Sequence, residues 1–290
     1  MLVKKIEGLS DETEVLPFEV GHLPERFQQE VLNKTNETPE RKLKGLQKLK
    51  QLIKSENIFD DTEFDEDFLV LFLRSEDYDV LSALQRLKNA VALKKSYVEM
   101  FSDQVYENIA ITFTKNITTF LPYRCPDGCA VMYINLDNWI PEEFPVAEVK
   151  RMAPILLLQA LRDPMTQVNG FKVIIDAKSN PLRHCSFQNI YLMYHGSQYC
   201  LPGKFHSYHL VNQSATSRFC IALMKPFFSE ELKNKIHIHS SPEELLDFFP
   251  SYMIPTRYGG KLGDYDLTPW LRKAMKPEVL SNLLGRTRIS

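Results

Sequence analysis

Three constellations in this chain bring together residue types that can do chemistry. His195-Gly196-Ser197 sets an imidazole two positions from a hydroxyl, the pair that acyl transfer needs. The serine of such a site sits on a sharp strand-to-helix turn inside GxSxG, which this sequence lacks, and Ser197 instead falls within a helix predicted over 187–200. His237 and His239 alternate along a predicted strand and so share one face, supplying two imidazoles of a zinc site but no third ligand nearby. They are read as a structural pair. Cys125 and Cys129 bracket Pro126-Asp127-Gly128 and offer a redox pair or half a metal site; the reading taken is two unlinked thiols beside a hairpin. Phosphate-cradling glycine loops, GxGxxG or GxxxxGK[ST], are absent. The expectation is a protein that is not an enzyme, with no cofactor and no metal. Arg41, Lys42, Lys44, Lys48, Lys50 and Lys54 lie on or near one side of a helix. That side meets an anionic membrane at up to about 1 kcal/mol per charge, or is simply a solvated face.

Those residues must be held by elements that the composition allows. With 290 residues, 44% hydrophobic and 25% charged, the chain can bury one large core and a smaller partner domain. A formal net charge of -2 gives no overall pull towards nucleic acid, so none is expected as partner. Five cysteines, an odd number, fit reduced thiols, and no run approaches the ~18 apolar residues of a membrane span. A cytoplasmic location is therefore expected. Thr38-Pro39 opens a helix with an apolar stripe of Leu43, Leu46, Leu49 and Ile53, and Asp79 caps another carrying Leu84, Leu87 and Val91. From Leu121 the pattern alternates: strand at 130–136, helix at 146–161, strand at 171–176, helix, then strand at 207–212. That alternation predicts an α/β domain with a mostly parallel sheet flanked by helices. Ser214 caps a helix whose segment 219–224 is apolar all round and is expected to be covered on both sides; Pro226 ends it. Ser229 opens the next helix, 236–239 is a strand, and Ser241, Pro242 and Glu244 predict one more helix before the turn at Tyr258-Gly259-Gly260.

Asp67-Phe68-Leu69-Val70-Leu71-Phe72-Leu73-Arg74 before Asp77-Tyr78-Asp79, a strand ending in Asn212, Met224-Lys225-Pro226-Phe227, Ile236-His237-Ile238-His239, and Pro255 before Tyr258-Gly259-Gly260 stand in one order. In that order they resemble the CRAL-TRIO lipid-transfer family, closest to the branch of alpha-tocopherol transfer protein and cellular retinaldehyde-binding protein. The resemblance spans roughly residues 40 to 262. It implies a small all-α N-terminal domain over 1–100 and a CRAL-TRIO lipid-binding domain with gate helix and C-terminal tail over 101–290. The implied function is non-enzymatic binding and intermembrane transfer of one hydrophobic small molecule. Its cavity positions carry over to Ala153, Leu157, Phe171, Ile175, Met193, Leu201, Tyr208, Cys220, Met224 and Phe228. The family's anionic-lipid cluster carries over to Lys204, His206 and Lys235, but Glu76, Gln85 and Glu231 stand where the tocopherol branch has basic residues. Phosphoinositide binding is accordingly expected to be weak. Implied partners are the lipid cargo and, peripherally, anionic membranes, met transiently by a monomer. A lipid-sensing interaction module on the same fold is the alternative; a small-molecule enzyme with an unseen motif is a third.

Overall fold

The computed structural model describes residues 28–29, 36–56, 64–97, 116–178 and 187–265. Among the described residues, three long helices precede the sheet: α1 (Pro39–Glu56), α2 (Glu66–Ser75) and α3 (Val80–Ser96). Their starts are set by side chains. Thr38 Oγ1 accepts from Arg41 N–H at 3.1 Å, Asp65 from Asp67 N–H, and Asp79 from both Leu81 and Ser82 N–H. Leu46 and Leu49 of α1, Phe72 and Leu73 of α2, and Leu84 and Leu87 of α3 form one core. Leu43 does not join the predicted stripe. It is 56% exposed, because the buried positions of α1 are Gly45, Leu46 and Leu49, which leaves Leu43 at the edge of the face turned to α2 and α3.

The sheet follows in strand order β1-β2-β3-β4-β5: β1 (Thr118–Phe120), β2 (Ala130–Asn135), β3 (Phe171–Asp176), β4 (Phe205–Val211) and β5 (Ile236–Ile238). β1 pairs antiparallel to β2 across the Cys125–Cys129 turn, and the remaining pairs are parallel, as the alternation predicts. The connections are α4 (Val146–Ala160) and α5 (Pro164–Asn169), then α6 (Phe187–His195), then α7 (Ala215–Met224) and α8 (Glu230–Lys235). Because the strand order never reverses, crossovers of one hand put their helices on one face, and no crevice opens at a reversal where a nucleotide would sit. The other face is covered by the chain after β5. Leu245, Phe249, Met253, Ile254 and Tyr258 pack there on Val131, Tyr133, Ile174 and Val211.

The predicted helix after Ser241 is a single-residue-tighter coil instead, 3₁₀ turns at Pro242–Asp247, Ser251–Met253 and Thr256–Tyr258. Ser241 makes no side-chain cap; Glu244 accepts from Ser240 N–H at 3.1 Å. Short pieces of this kind follow the twist of the sheet where a long straight helix would not. Gly260 is required here, since a Cβ would fall 1.9 Å from the Ile254 carbonyl oxygen. Gly170 is required before β3: its φ is +68°, and a Cβ would lie 2.3 Å from the Lys204 oxygen. Cys125 and Cys129 are buried free thiols, as read from the sequence. Beside them lies an ion pair that no periodicity announces: Arg124, fully buried, donates to Gly128 O at 3.1 Å and Thr166 Oγ1 at 2.7 Å, with Asp163 at 3.4 Å. Asp163 also caps α5, so the pair ties the hairpin to the start of that helix.

Candidate functional site

On the helix-covered face of the sheet, apolar residues from β2, β3 and β4 meet α4. Met132, Phe171 and Val173 pack with Met152, Leu156, Leu157 and Leu161, and Ile175, Leu201 and Tyr208 border this cluster half-buried. An aromatic row crosses it. Ring centroids are 6.0 Å apart for Phe120 and Phe171, 5.2 Å for Phe171 and Phe205, and 6.1 Å for Phe205 and Tyr208, the last two pairs stacked. The row ends in a polar tip. Gln198 Nε2 donates to the Tyr208 hydroxyl at 2.7 Å, and Ser197 Oγ lies 3.1 Å from it. Burial pushes the Tyr208 phenol up to about 12, so it stays protonated at neutral pH. Gln198 and Ser197 sit on one turn of π-helix, Gly196–Cys200, that continues α6 and closes with Leu201 N–H on Gly196 O at 2.8 Å.

The expected cavity residues divide into three groups. Leu157 and Phe171 are packed inside the core, and Ile175, Leu201 and Tyr208 form its half-buried border. Met224 is buried on α7, with Cys220 half-buried and Phe228 half-buried against the Tyr194 ring at 5.7 Å. Met193 on α6 is 53% exposed. Ala153 falls on α4, and its side chain lies outside the described residues.

The segment 219–224 is not covered on both sides, contrary to the expectation from its composition. Phe219 is 67% and Leu223 59% exposed, as is Phe227 at 66% in the 3₁₀ turn that follows (Lys225–Phe227). The start of α7 is anchored, however: Ser214 accepts from Ser217 N–H at 3.1 Å, and Ser217 Oγ donates to Ala177 O at the end of β3 at 3.0 Å.

The expected cations are all engaged. Lys204 pairs with Asp77 at 2.5 Å and Lys235 with Glu231 at 2.6 Å, while His206 Nε2 donates to Asn169 O at 2.9 Å. Burial lowers the His206 pKa, and the neutral ring with its proton on Nε2 fits that bond. Arg86 adds a third cation and pairs with Glu76. Two of the three carboxylates that neutralise this surface, Glu76 and Glu231, are the intruding acids noted in the sequence. Elsewhere, an open groove of about 380 Å³ between α1 and the turn at Tyr78 is bordered by Arg41, Lys44 and Lys48. Lys50 is not part of it and pairs with Glu66 at 2.5 Å.

His237 and His239 have a partner that sequence reasoning missed. Register places His209 of β4 opposite His237, the two rings stacked at 4.8 Å, and His209 Nδ1 lies 3.0 Å from His239 Nε2. Ser207 Oγ is 2.9 Å from His209 Nε2, and Glu244 reaches His239 Nδ1 at 3.4 Å. A hydroxyl, two imidazoles and a carboxylate in line have the order of a nucleophile, base and orienting group. The line is sealed: Ser207 and His209 are buried, and the Phe248 and Phe249 rings each lie 4.8 Å from His209. Burial first, then the neighbouring histidines and Lys172, push the His209 pKa down to about 3, too low for a general base near neutral pH. Among the described residues no group of histidine, cysteine and carboxylate side chains could hold a metal ion. No described helix is long and apolar enough to cross a membrane.

Comparison with known proteins agrees with this geometry. The crystal structure of Sfh5 has the same fold, with a TM-score of 0.50 at 16% identity over 78% of this chain and 84% of that one. Clavesin-2 from Homo sapiens is 22% identical, the match covering 89% of this chain and 82% of its own length. Alpha-tocopherol transfer protein-like from Mus musculus is 30% identical over 238 residues, 81% of this chain and 69% of its own. The model of the CRAL/TRIO domain matches residues 114–260, which contain the whole sheet, the aromatic row, the π-turn and α7. The chain therefore belongs to the CRAL/TRIO domain family.

Proposed function

We propose that this protein carries one hydrophobic small molecule and transfers it between membranes, with no chemical step. The cargo lies along the apolar face bordered by Ile175, Leu201 and Tyr208, within a site formed by Ala153, Leu157, Phe171, Met193, Cys220, Met224 and Phe228, and α7 is its gate. One observation carries this reading: a helix fixed at its first turn by Ser214 and Ser217 leaves Phe219, Leu223 and Phe227 facing outward. An apolar helix face of that kind gains by lying on a bilayer. The name of the mouse relative, alpha-tocopherol transfer protein-like, supports transfer as the task. The carrier works in the cytoplasm as a monomer and touches anionic membranes transiently. Lys204, His206 and Lys235 hold phosphoinositides weakly, because the two lysines are already paired with carboxylates and the His206 ring is neutral. Burying ~500 Å² of a terpenoid-sized cargo at ~25 cal/mol per Å² contributes roughly 12 kcal/mol before the costs of binding.

The test is native mass spectrometry with lipid extraction of the purified protein, followed by cargo transfer between donor and acceptor vesicles with no other protein added. A bound apolar lipid and unaided transfer are expected. Lipid-free protein that stays monodisperse and moves nothing would overturn the reading; movement only with a protein partner would assign the fold to lipid sensing.

A further inference from the structure

We infer that the open groove between α1 and the turn at Tyr78 binds a phosphate monoester, with Lys44 and Lys48 as its ligands and Arg41 as its fixed wall. The groove lies among the N-terminal helices, and its chemistry does not depend on a cargo. Three cations border it, Arg41, Lys44 and Lys48, against one carboxylate, Glu40. Helix positions three and four apart are neighbours, about 5–6 Å apart at Cβ, so 41, 44 and 48 set their charges in one line. Elsewhere the chain answers its lysines with acids: Lys50 with Glu66, Lys88 with Glu56, Lys172 with Asp127, Lys204 with Asp77 and Lys235 with Glu231. Lys44 and Lys48 make no hydrogen bond or ion pair among the described residues. The two acids whose charge they feel are spent on helix starts. Glu40 bonds its own amide and Thr38, and Asp79 accepts from Leu81 and Ser82 N–H at 3.0 and 2.9 Å.

The groove holds its shape without a ligand. Arg41 donates to Asp77 O at 3.0 Å, and its guanidinium carbon lies 5.7 Å from the centre of the Tyr78 ring. Gly45 lets that ring close on α1, since a Cβ there would press on Tyr78 Cδ1 at 3.3 Å. Asp77 also takes the Lys204 ammonium at 2.5 Å, so the turn is fixed from both sides. A phosphate monoester carries a charge of about −1.5 to −2 at pH 7 and three strong acceptor oxygens. A diester carries a single charge and has fewer such oxygens. Two ammonium groups one turn apart, each with three donors, match the monoester. A soluble phosphate and phosphatidic acid present this same group. Leu81, next to Val80 on the rim, is 64% exposed and favours the lipid, because an apolar side chain at the mouth gains from lying on a bilayer.

The experiment titrates the full chain with glycerol 3-phosphate and measures its flotation with phosphatidylcholine vesicles. The vesicles carry either phosphatidic acid, a monoester, or phosphatidylglycerol, a diester, at matched surface charge. Stronger association with the phosphatidic acid vesicles is expected if a lipid supplies the group, and saturable binding of glycerol 3-phosphate alone if a soluble phosphate does. Lys44→Gln combined with Lys48→Gln should weaken whichever binds by about tenfold, the loss of one charge-assisted hydrogen bond. Lys42→Gln combined with Lys54→Gln removes the same charge from the same helix outside the groove, and should leave affinity within about twofold, because such exposed charges are screened. Losses of equal size in the two variant pairs would reveal a diffuse attraction to negative charge and overturn the site. So would the absence of all binding, or vesicle association blind to monoester and diester without binding of glycerol 3-phosphate. None of these outcomes touches the carrier reading, which lipid extraction and vesicle transfer decide separately.

Discussion

His209 shows how one side chain can be legible in type and illegible in role. Its ring is held neutral by burial and by His237, His239 and Lys172, which lowers its pKa to about 3 against roughly 6.5 in an unfolded chain. A group depressed in this way binds its proton more readily in the unfolded state, so the stability it contributes is full above about pH 6.5 and is lost as pH falls towards 3. In that window a difference of one proton costs about 1.4 kcal/mol per pH unit. We expect the melting temperature to drop steeply between pH 6 and 4, roughly, and His209→Asn to flatten that slope while lowering stability at pH 7. A pH profile identical in the variant would mean that another group controls acid unfolding. The sequence offered His237 and His239 by their spacing, but His209 lies far upstream, and only the parallel pairing of β4 with β5 brings it to them. The same blindness hid Arg124, whose partners Asp163 and Thr166 come from the start of another helix.

α7 is the element where composition and environment part company. An all-apolar stretch is expected to be buried because transfer from water stabilises it, yet only Ser217 and Met224 of this helix are buried. Its anchored first turn and exposed later residues make the far end the cheaper part to move. Amide exchange at 219–224 should therefore be faster in delipidated than in loaded protein, with little change at β3, where both neighbours hold the strand. Equal protection of α7 in the two forms, with lipid shown absent from one, would remove it as the gate. Other elements were legible down to single residues: Asp79, Ser214 and Ser229 each cap the helix they were expected to cap, and Pro226 follows the last residue of α7 by two. Those signals are local, a side chain bonding its own backbone within three residues. The half-buried border of the site, by contrast, needed the family pattern, since Ile175 and Tyr208 read as ordinary strand residues until α4 and the π-turn are placed around them.

At the level of the whole chain, the family resemblance implies a boundary near residue 100, and we propose that it does not divide the molecule in folding. Leu71 and Phe68 of α2 pack into the core beneath the sheet, not only into their own helical cluster. Leu93 of α3 shares a small core with Leu192 and Cys200, and Arg86 reaches Leu201 O. Arg74 bridges Glu37 and Gln167, and Lys204 before β4 pairs with Asp77. The N-terminal helices thus complete the core beneath the sheet, and they brace the π-turn that meets Tyr208. Removing them strips Leu71 and Phe68 from the core beneath the sheet, and apolar surface uncovered in this way favours aggregation. The full chain should melt in one cooperative transition. Leu71→Ala should cost about 2–5 kcal/mol, the range for deleting a packed leucine side chain from a core, and lower that one transition as a whole. A fragment of residues 101–290 should bind a hydrophobic dye and lose its cooperative melt. A fragment that melts as sharply as the full chain would show that the helices do not complete the core.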